Sequence, residues 1–312
     1  MANKEMRAVL ADWLGEQMEK DSRIVVVDAD LAKANGTWAL RKKFPDRALD
    51  VGIAEQNMTS FAAGLASYGY IPFIGSFTAF ATRRNCDQIA ISVCYAKQNV
   101  KIIGSDPGIS AEYNGGTHMS FEDIGVLRSI PNIVIFEPVD NRQLEKALPQ
   151  IVDYDGPVYI RLFRKVIDTV TPVDYEFNLF KADRMREGKD VSIFASGLMV
   201  QESLRAAALL EEKGISCDLI NVHTIKPLDE LTVLESVKKT GCVVTAENHN
   251  IMGGLRSAIA ETLTSNTPAP IEAVGVRDHF GEVAKMPYLK KKYGMTAEDI
   301  AEAAIRAISR KK

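Results

Sequence analysis

Short apolar runs alternate along the chain with segments in which apolar residues recur every three or four positions. The runs Ile24–Asp28, Phe73–Gly75, Val100–Gly104, Ile133–Phe136 and Val158–Leu162 are rich in β-branched residues and have the length of strands. Between them a helical period predicts helices over Gln56–Tyr68, Ala79–Ala96, Phe121–Ser129 and Asn141–Val152. Residues 166–184, VIDTVTPVDYEFNLFKADR, carry a proline and many polar side chains without a period, which predicts a linker or surface arm. Alternation then resumes. Strands are expected at Val191–Ala195, Cys217–Asn221, Val243–Glu247 and Ile271–Val276, and helices near Val200–Lys213, Asp229–Lys239, Leu255–Thr264 and Ala297–Ile308. Such alternation predicts mostly parallel sheets with helices on both faces. The expected class is α/β, with two doubly wound domains at 1–170 and 188–312 and a linker at 171–187.

Composition narrows the function without naming it. The 312 residues are 46% apolar and 25% charged, the balance of a globular chain able to bury a large core. Lys plus Arg is 38 against 41 for Asp plus Glu, so a formal charge of -3 gives no overall pull toward nucleic acid or anionic lipid. An anionic ligand must therefore be held by local groups. The N-terminal stretch mixes both signs of charge and is unlike a signal peptide, and no apolar run approaches the ~18 residues of a membrane span. Cys86, Cys94, Cys217 and Cys242 include no C-x-x-C pair. They predict reduced thiols packed as small core residues, and a cytoplasmic location.

Four stretches could carry chemistry. Glu55, in DVGIAEQNM, opens a helix whose apolar face is expected to include Met58, Phe61, Ala62 and Leu65. Desolvation on that face would raise its pKa and the helix dipole would lower it; alternatively Glu55 caps the first turn and faces water. Phe77 and Phe80 are three apart after a short strand, and form either a clasp for a flat heterocycle or plain core. The loop GISAEYNGGTH, residues 108–118, follows a strand at the edge where parallel sheets bind ligands; its glycines permit close approach, and His118 can move a proton near neutral pH. A mobile loop with a solvated histidine fits the same residues. Arg161, Arg164 and Lys165 end another strand and suit either phosphate recognition or solvent. Asp28 and Asp30 lack the further ligands a metal needs, and Met252-Gly253-Gly254-Leu255 reads as a tight strand-to-helix turn, not a phosphate loop.

Taken in order, DADLA, DVGIAEQNM, GSFTAF, NGGTHMSFEDIGVLRSIPN and YIRLFRK resemble the pyrimidine-binding domain of transketolases. Ile193-Phe194-Ala195-Ser196-Gly197, Ala246-Glu247-Asn248-His249 and Phe280-Gly281-Glu282 resemble the C-terminal domain of the same family. The resemblance implies the C-terminal subunit of a split transketolase, a transferase that moves a two-carbon ketol unit from a ketose to an aldose. It implies thiamine diphosphate as cofactor. Glu55 would be the catalytic carboxyl on the aminopyrimidine, Phe80 would stack on that ring with Phe77 beside it, and Asp30 and Leu31 would complete the cofactor wall. His118 would act on the sugar's hydroxyls or carbonyl, Asn114 would face the sugar, and Arg164 and Arg7 would hold its far phosphate or a similar anion.

The family's G-D-G motif, which holds diphosphate and Mg²⁺, does not occur in the sequence. The resemblance therefore implies an N-terminal partner subunit that supplies most of the Mg²⁺ site, in an α2β2 assembly. Three positions depart from the family pattern: Asn114 stands for an acid, Arg83 for an aromatic and Ser105 for a histidine. The other expectations are the β subunit of a 2-oxo acid dehydrogenase E1, a 1-deoxyxylulose-5-phosphate synthase-like enzyme, and a non-catalytic regulatory subunit.

Overall fold

The computed structural model describes residues 4–311. Among these residues twelve strands form two sheets. They are β1 (Ile24–Asp28), β2 (Ala48–Asp50), β3 (Ile71–Phe77), β4 (Lys101–Ser105), β5 (Val134–Phe136), β6 (Val158–Leu162), β7 (Asp183–Arg186), β8 (Val191–Ala195), β9 (Cys217–Asn221), β10 (Thr224–Lys226), β11 (Val243–Asn250) and β12 (Ile271–Val276). The first sheet runs β10-β5-β6-β4-β3-β1-β2 and is parallel except for β10; the second runs β12-β11-β8-β9-β7 and is parallel except for β7. The central strands β1, β4, β6, β8 and β9 are buried along their whole length, which is why they read as mostly apolar runs rather than alternating ones. Helices cover both sheets. Met6–Lys20 buries Met6, Leu10, Leu14 and Met18 at helical spacing, and Ala297–Ser309 starts from a capping box between Thr296 and Asp299.

Besides the edge strand β2, which the sequence pattern does not predict, the structure departs from that pattern at several points. The helix expected over Ala79–Ala96 is broken. Helix Thr78–Ala81 ends where the Thr82 hydroxyl turns back to the Thr78 carbonyl at 2.7 Å, and Asn85 is tied to Thr59 at 2.7 Å before a π-helix spans Ile89–Tyr95. Phe61 is exposed; the buried side of helix Glu55–Ser67 is Glu55, Met58, Thr59, Ala62 and Ala63. The segment expected to be an irregular arm ends in β7, an edge strand of the second sheet. Finally β10, which follows β9 of the second sheet, pairs with β5 and closes the edge of the first. The two halves are thus joined by shared sheet as well as by the connecting chain.

A buried ionic node lies between them. Arg161 on β6 is 0% exposed and donates from Nε to Asp123 Oδ2 at 2.7 Å, from Nη1 to Glu137 Oε1 at 2.6 Å and from Nη2 to the Asn248 carbonyl on β11 at 2.8 Å. Tyr159 adds a bond to Asp123 at 2.8 Å. Burial alone would raise the Asp123 carboxyl, but Arg161 beside it holds it below its ordinary value. His249 sits against the same acid, yet burial pushes its pKa down to about 4; the neutral ring donates to the Asn250 carbonyl at 2.6 Å and accepts from the Gly125 N–H at 3.3 Å. Removing the guanidinium leaves two buried carboxylates uncompensated. Arg161→Met should lower the unfolding free energy by about 3–5 kcal/mol in urea titration. A loss below about 1 kcal/mol would show that Asp123 and Glu137 find other partners.

Candidate active site

The strand register places the chemistry on one edge. Asp28 pairs with Gly75, Gly75 with Ile103 and Ile103 with Ile160, so β1, β3, β4 and β6 end at one height. The residues just beyond, Asp30 and Leu31, Phe77 and Phe80, Asp106, and Arg164, therefore rim the carboxyl edge of the first sheet, where open α/β sheets bind ligands.

Six of the residues singled out from sequence lie in one row of contacts. Glu55, 3% exposed, makes no cap with its own helix; Oε1 takes Arg84 Nη1 at 2.8 Å instead. The Arg84 guanidinium carbon lies 3.8 Å from the centre of the Phe80 ring. Phe80 meets the His118 ring at 5.0 Å and Phe77 at 6.2 Å, edge to face, and Phe77 meets His118 at 5.7 Å. Arg164 lies 5.3 Å from the Phe77 ring centre. Arg164 and Arg7 then donate to the same Ala34 carbonyl, at 3.4 and 2.9 Å. Neither reading of the phenylalanines as core nor that of Glu55 as a solvated cap describes this arrangement.

Asn114, Asp30 and Leu31 are not joined to the row by a hydrogen bond or ring contact among the described residues. Asn114 is exposed at the end of the Gly108–Asn114 turn. Asp30 is exposed at φ 60°, its N–H bonded to Asp50 Oδ1 at 3.1 Å. Arg161, expected at the ligand edge, is instead the buried node; Lys165 is bonded to Glu112 Oε2 at 2.6 Å. The departure at Ser105 faces inward, to Asn35 and the Ser76 carbonyl, and Arg83 pairs with Glu122. Asp28 takes Asn35 and Thr37 at 2.9 and 2.6 Å, a structural use, and no group of three or more metal-ligating side chains occurs among the described residues.

Arg84 and Asp106 were not found from sequence. Arg84 carries no motif signal beyond its place after Phe80. Asp106, buried at φ 55°, has Oδ2 2.7 Å from Arg164 Nε, though neither oxygen meets an aligned hydrogen-bond donor among the described residues. Burial pushes its pKa up to about 6 despite Arg164, Lys165 and Arg7 nearby. A non-glycine residue held at positive φ and buried is the kind of strain that collects at functional sites, but only the structure reveals it.

The loop over the row is held by the second half. Asn248 accepts the Ile109 N–H at 2.9 Å and donates to the Pro107 carbonyl at 3.0 Å. Gly108, at φ 54°, lies so close that a Cβ would come 2.1 Å from Asn248 Oδ1. A Cβ on Gly116 would meet the Gly281 carbonyl at 2.5 Å, so this glycine serves packing between the halves.

The residues fit an aminopyrimidine. A planar N–C–N group, the Arg84 guanidinium, already lies on the Phe80 face and donates to the buried Glu55 carboxylate, the two contacts such a ring needs. Residues 2–168 match the transketolase pyrimidine binding domain and residues 180–300 the transketolase C-terminal domain. The 6-deoxy-6-sulfo-D-fructose transketolase subunit SqwH of Clostridium sp. strain MSTE9 is 54% identical over 98% of this chain and 95% of its own. An apulose-4-phosphate transketolase subunit of Phocaeicola vulgatus is 33% identical over 99% of this chain and 100% of its own. A split gene transketolase, solved as an inactive β4 tetramer, superposes with a TM-score of 0.91 at 40% identity, covering 99% of both chains.

The fold and its edge are therefore those of a transferase of the thiamine diphosphate-dependent kind. The chain belongs to the transketolase family, as a subunit of the split type in which the pyrimidine-binding and C-terminal domains form a chain of their own.

The loop geometry makes a testable demand. Gly108→Ala should lower stability by about 1–3 kcal/mol and speed amide exchange across residues 108–118 in the native protein. Unchanged protection there would mean that the Asn248 contact does not hold the loop.

Proposed function

We propose that this chain provides the half of a two-chain transketolase site that holds the aminopyrimidine of thiamine diphosphate and the sugar, while an N-terminal partner subunit holds the diphosphate and Mg²⁺ in an α2β2 assembly. The observation that carries the reading is the row from Glu55 through Phe80 and His118 to Arg164 and Arg7: a buried carboxylate, an aromatic bed, an imidazole and an anion-holding pair in sequence. The absence of G-D-G from the sequence and the split organisation of its relatives support a partner. No helix among the described residues is long and apolar enough to cross a membrane.

The cofactor, when bound, supplies an acidic carbon on its thiazolium and an amino group that serves as the base. Glu55 would hold a proton shared with the ring nitrogen and so favour the tautomer in which that amino group is basic. Its burial, at 3% exposure, keeps water from competing for that proton. Phe80 and Phe77 orient the ring, with Asp30 and Leu31 beside it. His118 donates to the ketose carbonyl or hydroxyls, Asn114 contacts the sugar, and Arg164 with Arg7 binds a terminal anion. The named substrate of the Clostridium relative, a ketose ending in a sulfonate, fits that end of the row.

The direct test is ketol transfer from 6-deoxy-6-sulfo-D-fructose to an aldose by the co-expressed pair, with the isolated chain and a Glu55→Gln pair alongside. The pair should turn over, the isolated chain should not, and Glu55→Gln should fold normally yet be nearly inactive. Tight cofactor binding and turnover by the isolated chain would overturn the split-site reading. Close to full activity in Glu55→Gln would remove Glu55 from the proton shuttle.

Arg164→Gln should cost an anionic ketose about 2–4 kcal/mol in kcat/KM, mostly through KM, and an uncharged ketose far less. Equal losses for both would make Arg164 a structural partner of Asp106 only.

A further inference from the structure

The loop that carries Asn114 and His118 turns at Glu112. Its backbone, at φ 46° and ψ -113°, lies where an L side chain is strained and glycine is the usual occupant. The Glu112 carbonyl accepts the Gly115 N–H at 3.2 Å and so starts the turn. Strain of this kind persists only where the surroundings enforce it, and here the side chain is held from two directions. Oε2 takes Lys165 Nζ at 2.6 Å, and Oε1 takes the Met286 backbone N–H at 2.9 Å from the second half. A glycine would adopt this turn without strain, but would leave Lys165 without its carboxylate.

Lys165 directly follows Arg164. At this end of the row three cations each have their own acid: Arg7 has Glu5 at 2.7 Å, Arg164 has Asp106 at 2.7 Å, and Lys165 has Glu112 at 2.6 Å. Arg164, Lys165 and Arg7 all act on the Asp106 carboxyl, and Glu112 opposes them, so these charges share one field. These three pairs balance among themselves before any substrate arrives, with Lys285 a further cation acting on Glu112. A sulfonate brings one negative charge at every working pH, whereas a phosphate monoester brings a second above about pH 6. An edge already balanced suits the single charge better than the double one.

We propose that Glu112 is a specificity-determining residue: by pairing Lys165 it withholds that cation from the substrate and sets the edge for a singly charged sulfonate tail over a doubly charged phosphate. The inference rests on the ketol-transfer reading above and narrows its substrate class.

The test uses the assembled pair at about pH 8, where a phosphate tail is a dianion. kcat/KM is measured for 6-deoxy-6-sulfo-D-fructose and for its 6-phosphate counterpart in wild type, Glu112→Gln and Glu112→Gln/Lys165→Met. Gln keeps an acceptor for the Met286 N–H and removes the charge, and melting curves check the fold. Glu112→Gln should shift the sulfonate-to-phosphate ratio about tenfold toward phosphate, the scale of one charge-assisted contact. Adding Lys165→Met should return the ratio toward wild type, which a purely structural role for Glu112 would not do. An unmoved ratio, or equal losses on both sugars, overturns the inference while leaving the ketol-transfer reading intact. A wild-type pair that uses neither sugar overturns both.

Discussion

The Arg161 guanidinium is the constraint on which the rest of the molecule depends. It reaches two buried acids of the first half and a backbone carbonyl of the second. A buried ion pair is weak evidence of net stability, because desolvation offsets much of the attraction, but it is strict about geometry. Asn248, whose carbonyl Arg161 holds, is also the side chain that grips the Pro107–Ile109 turn. Gly197, at φ 48°, approaches Glu137 so closely that a Cβ would meet its carboxyl carbon at 2.4 Å. Glu247, its pKa raised to about 7 by burial, takes the Leu255 and Arg256 N–H groups where the next helix begins. The position of the loop above the active edge is thus set by side chains at the seam between the halves.

That seam explains which features were legible in the sequence. Central strands were, because burial on both faces forces mostly apolar runs and nothing else in the chain looks like them. Edge strands β7 and β10 were not. Asp-Arg-Met-Arg and Thr-Ile-Lys are short and half polar, and they are strands only because a neighbouring edge supplies the hydrogen bonds. The helix expected from Ala79 to Ala96 has a good period, but Thr82 and Asn85 divert to tertiary and local partners that no periodicity registers.

The site shows the same division. Glu55, Phe77, Phe80, His118 and Arg164 could be gathered from sequence because each stands within a recognisable motif, whereas Arg7 came only from the family resemblance. The order of the strands then brings them together. Arg161 and Arg164 looked alike, two cations at the end of one strand, and they have opposite uses. Arg161 still lies within β6, its side chain turned into the seam, whereas Arg164 has passed the sheet edge and meets Phe77. A difference of three residues in register separates a cation buried in the seam from one at the sheet edge. Arg84 is invisible for a related reason. Its role follows from lying across Phe80 toward Glu55, a contact between residues 29 apart in sequence.

Charge is the remaining constraint. A chain with a net charge of -3 has no overall field that would draw in an anion. On the proposed function, selectivity would come from a few cations whose surroundings decide how much of their charge is available. Glu5, Asp106 and Glu112 each take part of that availability away, and two of the three, Asp106 and Glu112, are held at positive φ. Strained backbone at both acids means that the fold bears a cost to put carboxylates beside the cations that should greet an anion. A site that only had to bind anions tightly would gain by losing them. Their presence is intelligible if the edge is built to distinguish one anion from another, since discrimination depends on what a site refuses as much as on what it attracts.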